Sequence, residues 1–487
     1  MAAGGATGRP GTGPRGPAVP LPAGVHLVPD RDLAVLGDGR ALLGGSPTRL
    51  LRLRPRAAQM LRRWLDGEAV GDHRAERAVA RRLVTAGMLH PRPQPVEPGA
   101  LVTVVVPVRD RPELLERLLG SLGPVRCVVV DDASIGRAQV EKVTREAGAE
   151  YLRLDTRTGP AAARNAGLAT VTSPLVAFVD SDCTVPPGWL GPLVAHFADP
   201  AVALVAPRVV TPGGRSSLAR YEAGRSPLDL GTREGPIGPG RPVAYVPSAA
   251  LVLRRAAAPV PCFDPDLRVG EDVDLVWRLV ASGWEARYVP EVEVAHHRPL
   301  TVASWAARRA EYGSSAGPLA VRHRDAVAPL RLSPAAAAAW VLACAGRPGA
   351  ALGVLGASSA ALGARLNGVV DRPFELAARV AITGVARSAV PALAGLARAW
   401  GPALVASLTV RRLGRVRLAA AGILAMGLFR GWRTRPPDLD PARYLALRLA
   451  DDLAYGAGVW WGSLRARTLR PLVPAIATRR AAPTRGR

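Results

Sequence analysis

An α/β fold with a parallel-sheet core, a small domain in front and a helical region behind is what this sequence predicts. Three observations carry the prediction. Apolar, β-branched runs recur at residues 101–106, 125–130 and 176–179 with amphipathic helical patterns between them, as buried parallel strands and their crossover helices require. The chain turns polar or acidic where those runs end, and ligands sit at the carboxyl ends of strands in open α/β sheets. Beyond residue 326 the sequence becomes Ala/Leu-rich with scattered arginines.

At 487 residues the chain is long enough for two or three domains. Its net charge of +25 comes almost wholly from arginine, since Lys142 is the only lysine. Together with the Ala, Gly and Pro richness this fits a high-GC coding bias, and it also favours phosphorylated ligands or anionic lipid as partners. Nucleic acid shares that electrostatic signature, but the motifs downstream argue against it. Cys127, Cys183, Cys262 and Cys344 form no CxxC pair, which speaks against a zinc site or disulfide framework and fits a reducing cytoplasm. Residues 1–23 are Gly/Pro/Ala-rich without an apolar h-region and read as a disordered tail, not a signal peptide.

Residues 24–95 read as a separate domain. Short apolar pieces at 25–28, 33–36 and 41–43, with an Asp38-Gly39 turn, predict hairpin strands. Pro55 opens a helix with Ala57, Met60, Leu61, Trp64 and Leu65 at 3–4 spacing, and a second helix spans about 75–86. Pro91, Pro93, Pro95 and Pro98 mark a linker.

In the core, 100–325, the 101–106 strand ends in Pro107-Val108-Arg109-Asp110 and the 125–130 strand in Asp131-Asp132-Ala133-Ser134. Asp131 or Asp132 can accept hydrogen bonds from a uracil or ribose edge, or can simply satisfy a turn. Gly159 begins a loop into a helix carrying Arg164 and Asn165, where small residues admit a ligand and a helix N-terminus favours phosphate; helix packing explains Ala161–163 equally well. The 176–179 strand ends in Asp180-Ser181-Asp182. Two carboxylates sharing a site repel unless a cation intervenes, and such hard ligands suit Mg²⁺ or Mn²⁺ holding a diphosphate. A strand cap followed by a turn is the alternative. Gly270-Glu271-Asp272 opens a helix with Leu275 and Leu279 on its buried side, and an acidic first turn is also ordinary helix chemistry.

Taken together these motifs resemble the family 2 glycosyltransferases of GT-A fold, with a nucleotide-diphospho-sugar-binding, Rossmann-like core. Five signatures occur in register: Val104-Val105-Val106-Pro107, Val130-Asp131-Asp132-Ala133-Ser134, the Gly159–Gly167 segment, Val179-Asp180-Ser181-Asp182 and Gly270-Glu271-Asp272-Val273-Asp274. The resemblance implies a UDP-sugar pocket lined by Pro107, Asp131, Asp132, Gly159, Arg164, Asn165 and Asp180. It implies a D-x-D metal site at Asp180 and Asp182, with His296 as a third ligand, and Asp272 as the base of an inverting displacement. Residues 245–254 match an acceptor-side strand, and His296-His297 follows a strand at 286–290. Trp305, Arg308, Arg309, Tyr312 and Gly313 resemble the segment that closes over the diphosphate, with Arg308 facing the donor. The Gln-x-x-Arg-Trp motif of processive synthases is absent.

The front domain resembles winged-helix, PqqD-like peptide-recognition domains, which implies a peptide or protein partner added at the edge strand near 33–43; a cap packed on the catalytic domain is the other reading. Apolar windows at 335–346, 350–364, 399–410 and 418–429 fall short of a spanning helix. They read as helices on or dipping into an anionic membrane surface, aided by the basic 411–417 segment, or as a bundle packed on the core; a basic tail follows from 479. The whole combination resembles the actinobacterial glycosyltransferases of the mycofactocin system. That implies transfer of glucose from UDP-glucose to premycofactocin, a peptide-derived redox cofactor, as a β-1,4-linked oligoglucoside, by a cytoplasmic enzyme on the inner face of the membrane. A cell-envelope glycosyltransferase with a polyprenol or glycan acceptor, and a binding protein with an inactive core, are the competing readings.

Overall fold

The computed structural model describes residues 19–297, 301–368, 370–410, 412, 414–432 and 439–476. Most of the expected N-terminal tail, Arg411 and Leu413 of the basic segment and the whole basic tail lie outside the described residues.

The front domain pairs strand His26–Pro29 with Leu89–Arg92 and adds a three-stranded antiparallel sheet, Ala34–Leu36, Ala41–Gly44 and Arg49–Arg52. Helices Pro55–Leu65 and Arg74–Thr85 close over it, burying Leu42, Leu61, Trp64, Leu83 and Met88. Buried Glu76 fixes the helix pair by accepting from Trp64 Nε1 (3.1 Å) and the Gly71 N–H (3.2 Å). The domain is seated on the core through a bidentate Arg81–Asp199 pair (2.8 and 2.5 Å) and through Arg233 to Asp30 (2.8 Å). Such planar, partly buried arginine forks add geometric definition as well as attraction. Ala34–Leu36 is an edge strand, hydrogen-bonded on one side by Ala41–Gly44.

The catalytic region is one nine-stranded sheet. Val102–Val108, Arg126–Asp132, Glu150–Leu154 and Leu175–Val179 run parallel, as expected. The other half is mixed, which corrects the all-parallel expectation. Ala250–Arg254 lies antiparallel between Leu175–Val179 and Val202–Val210, and Glu285–His296 runs parallel to Val202–Val210. The reversal has a consequence for the site: Ala250 opposes Val179, so residues 245–249 arrive at the carboxyl end of the strand that carries Asp180. Residues 245–247 are irregular and 248–249 a turn, so the expected strand begins only at Ala250. The strand expected at 286–290 extends through His296, which pairs with Cys183. Side-chain alternation splits the core into two layers: Val104, Val106 and Val129 face one set of helices, and Val105, Val128 and Val130 the other.

Behind the sheet come helices Pro334–Cys344, Pro348–Leu366, Pro373–Thr409, Gly414–Trp432 and Pro441–Arg465. The last is locked onto helix Val302–Ser314 by near backbone contact. A Cβ at Gly458 would lie 1.9 Å from the Ala310 carbonyl oxygen, one at Gly462 2.1 Å from that of Ser314, and one at Gly313 2.1 Å from that of Tyr455. Trp400 and Trp460 meet edge to face at 5.1 Å and tie this helix to Pro373–Thr409. Pro348–Leu366 reaches 19 residues at mean hydropathy 1.2 with 17% of that window buried. It is thus longer than the apolar window at 350–364 suggested, and is the one helix among the described residues long and apolar enough to cross a membrane.

Gly458→Ala gains up to about 1 kcal/mol in helix propensity but must force two backbones apart, at about 1–3 kcal/mol. Overpacking is expected to win, lowering the melting temperature by a few degrees, on the order of 2–4 °C per kcal/mol. Gly353→Ala, with nothing within 4 Å of the added Cβ, should leave it unchanged or raise it. Thermal melts of the two variants check this.

Candidate active site

A cavity of about 1530 Å³ opens along the carboxyl ends of the sheet strands, larger than a typical one-ligand pocket. Pro107, Asp132, Gly159, Arg164, Asp180, Asp182, Asp272, His296 and Arg308 all line it, so most of the residues singled out in the sequence converge.

Asp131 and Asn165 do not line it, and both assignments are corrected. Strand alternation turns Asp131 inward, where its carboxylate accepts from Tyr151 Oη and Arg153 Nη1 at 2.6 Å each and from the Ser134 N–H at 2.8 Å. Asn165 clamps the Phe263 backbone, donating to its carbonyl (2.7 Å) and accepting from its N–H (2.9 Å). Asp132, its neighbour's opposite in direction, accepts from the Thr158 N–H (2.6 Å) and the Gly159 N–H (2.9 Å) and so ties the loop to the strand end. Gly159 has φ +90°, and nothing lies within 4 Å of its would-be Cβ. A left-handed, uncovered backbone just ahead of helix Pro160–Thr170 suits a phosphate approaching closely.

Arg164 is the electrostatic hub. Its guanidinium is 3% exposed, donates to Asp180 Oδ1 (2.5 Å) and Glu271 Oε1 (3.0 Å), and lies over the Phe263 ring. A buried cation thereby links the D-x-D turn to the Glu271–Ala281 helix. Asp182 faces two further groups: Arg111 Nη1 at 3.0 Å and His296 Nε2 at 3.2 Å. Arg111 carried no signal in the sequence beyond closing a strand. Among the described residues no three His, Cys, Asp or Glu side chains converge as a ready-made metal site. The donor set nonetheless has the chemistry a divalent cation takes, two carboxylates and an imidazole nitrogen lining one cavity, while Arg111 and Arg164 now supply the positive charge that such an ion would share.

Gly270, at φ +88°, turns the chain so that Glu271 and Asp272 begin a helix. Asp272 accepts from the Val273 N–H (2.7 Å) through Oδ1 and the Ser248 N–H (3.1 Å) through Oδ2. Burial pushes the Asp272 carboxyl above the ordinary range, although those two N–H donors and Arg164 pull the other way. Burial, and then the charge of Asp272, push Glu271 up to about 7. A base must be ionised to act, so a raised pKa moves the loss of activity on acidification to higher pH. The acid limb of the kcat/KM profile is therefore expected above the ordinary carboxylate range, as a property of the Glu271–Asp272 pair. Glu271→Gln removes the adjacent negative charge and should shift that limb to lower pH; a limb that stays put would contradict the coupling.

Arg308 lines the cavity and pairs with Glu311 Oε2 (2.8 Å). Arg309 instead is 2% exposed, pairs with Glu222 and Asp451 and lies over Trp305, so it braces three helices. The sequence reading missed one wall altogether. Arg398, Arg448, Asp451 and Tyr455 line the cavity from the C-terminal helices. Their signal was polar residues at 448, 451, 452 and 455, on one face of an otherwise apolar helix.

A model of glycosyl transferase family 2 matches residues 103–258. The chain is 43% identical over 474 residues to the pre-mycofactocin glycosyltransferase of Mycobacterium tuberculosis, spanning 95% of this chain and 100% of that protein. It is 29% identical over 216 residues to the succinoglycan biosynthesis protein ExoU of Rhizobium meliloti, 38% of this chain and 58% of that one. A mannosyltransferase from Pyrobaculum calidifontis, solved with GDP-Man and Mn²⁺, is 18% identical, covers 76% of this chain and 89% of its own, and has a TM-score of 0.41.

Proposed function

The chain belongs to the family of pre-mycofactocin glycosyltransferases, and on that premise we propose that it transfers glucose from UDP-glucose to premycofactocin with inversion, building a β-1,4-linked oligoglucoside. The observation that carries the proposal is the convergence of Asp180, Asp182, Arg164 and Asp272 on one cavity large enough for donor and acceptor together. The loop Thr158–Gly159, its N–H groups held by Asp132, leaves an uncovered backbone at Gly159 for the nucleotide to approach, and Arg308 and Arg111 line the cavity with it. Asp180, Asp182 and His296 would hold Mg²⁺ or Mn²⁺, which when bound supplies Lewis-acid neutralisation of the diphosphate. Asp272, held by two backbone N–H groups, takes the proton from the acceptor hydroxyl as its oxygen attacks C1 of the sugar. The C1–O bond to the diphosphate breaks in the same in-line displacement, UDP leaves, and an α-linked donor gives a β-glycoside.

The edge strand Ala34–Leu36 suits addition of a peptide strand, and on that account the front domain recruits a peptide or protein partner. The exposed, apolar Pro348–Leu366 helix supports a cytoplasmic enzyme held at the inner face of the membrane. That same helix favours the second reading, a cell-envelope transferase with a polyprenol acceptor. Product analysis separates the two. The purified enzyme, UDP-glucose and Mg²⁺ are offered premycofactocin or a polyprenyl phosphate. Hexose added to premycofactocin, with a β-anomeric coupling by NMR, is the expected result; a lipid-extractable glucoside with no premycofactocin product would favour the alternative.

A further inference from the structure

The cavity wall supplied by the C-terminal helices has chemistry of its own. Arg398 lies over the Tyr455 ring at 4.1 Å from its centroid, and the Nε of Arg398 is buried with no hydrogen-bond partner. Both residues line the cavity with Tyr245, Tyr312 and Asp272. Tyr245 sits close enough to feel the charges of Asp272, Arg398, Tyr312 and Tyr455, and its phenol is pushed up to about 12, chiefly by burial. Aromatic faces and a guanidinium thus line the same cavity as Asp272, with Tyr245 near enough to interact both with that carboxylate and with Arg398 and Tyr455. The nucleotide side, lined by Pro107, Asp132 and Gly159, has none of these rings.

We propose that Tyr455, Arg398 and Tyr245 form the acceptor subsite, a slot that stacks a ring and presents its hydroxyl to Asp272. The subsite rests on the function proposed above. Rings stack well on tyrosine and arginine faces whether they are aromatic or the apolar face of a pyranose. The occupant is therefore either the ring of the unmodified acceptor or the last sugar of a growing chain. The slot is held at its distance from Asp272 by the glycine contacts that seat helix Pro441–Arg465 on Val302–Ser314, so the C-terminal helix belongs to the specificity machinery and not only to packing.

Calorimetric binding of premycofactocin, and separately of its monoglucoside, to the full-length enzyme with UDP and Mg²⁺ tests this without turnover. Tyr455→Ala is expected to weaken binding of at least one of the two by about tenfold, while Tyr455→Phe keeps the affinity and UDP binds all three proteins alike. The ligand that loses affinity identifies which ring occupies the slot. Unchanged binding of both in Tyr455→Ala, failure of Tyr455→Phe to keep the affinity, equal weakening of UDP, or no premycofactocin binding by the wild type would each overturn the proposal. An enzyme that binds acceptor through Tyr455 yet transfers no glucose would instead count against the donor and reaction proposed above.

Discussion

Asp272→Asn is expected to lower kcat by about 10²–10⁴-fold, the range that a positioned general base contributes. Nucleotide binding should change little, because the proposed mechanism has Asp272 act on the acceptor and not on the nucleotide. The substitution keeps the size of the side chain but only one acceptor oxygen, so one of the Val273 and Ser248 N–H groups, which bond different oxygens of Asp272, loses its partner. It also removes a buried negative charge beside Glu271, which burial and that charge together hold at about 7. Losing like-charge repulsion offsets part of the lost hydrogen bonding, so the melting temperature should stay within a few degrees of wild type. A fall in kcat with an intact melt separates chemistry from folding. Wild-type kcat in Asp272→Asn would exclude this residue as the base.

Asp182→Ala is the second large effect. Its carboxylate faces Arg111 and His296, and with Asp180 it is the oxygen pair that would hold a divalent ion. Loss of such charge stabilisation on a leaving diphosphate costs about 10²–10³-fold in rate. The variant also leaves Arg111 without this partner at 3.0 Å, which complicates a reading from rate alone. Melting therefore supplies the second readout: anything bound by the native state raises its stability. Mn²⁺ should raise the wild-type melting temperature and leave that of Asp182→Ala unmoved, and chelation should abolish wild-type turnover. Activity that survives exhaustive chelation would contradict the role given to this pair.

Much of the first half of the core was legible because buried parallel strands are uniformly apolar and stop abruptly. Residues 101–106, 125–130 and 176–179 start within one residue of strands Val102–Val108, Arg126–Asp132 and Leu175–Val179. The catalytic half was read less well. An antiparallel insertion such as Ala250–Arg254 has no crossover helix to announce it, and its partner strand is decided by contacts far apart in sequence. The same limit explains Asp131 and Asn165. Adjacent aspartates on one strand end point in opposite directions, and only the positions of Tyr151 and Arg153 decide which one faces the ligand. Asn165 is committed to Phe263, 98 residues away. The C-terminal wall was hidden by composition, since Ala/Leu-rich helices read alike whether they meet lipid or protein. A signal existed in the glycines spaced four apart, Gly313 with Gly317 and Gly458 with Gly462, a pattern that lets two helices touch along their backbones.

The central claim is a single displacement in which Asp272 activates an acceptor at the mouth of a nucleotide-sugar site. UDP release from UDP-glucose and Mg²⁺, with and without premycofactocin, in wild type and Asp272→Asn, tests it most directly. The account predicts release that depends on the acceptor, matches the hexose gained by it and is lost in the variant. Release at equal rates with and without acceptor, or equal in both proteins, would contradict it.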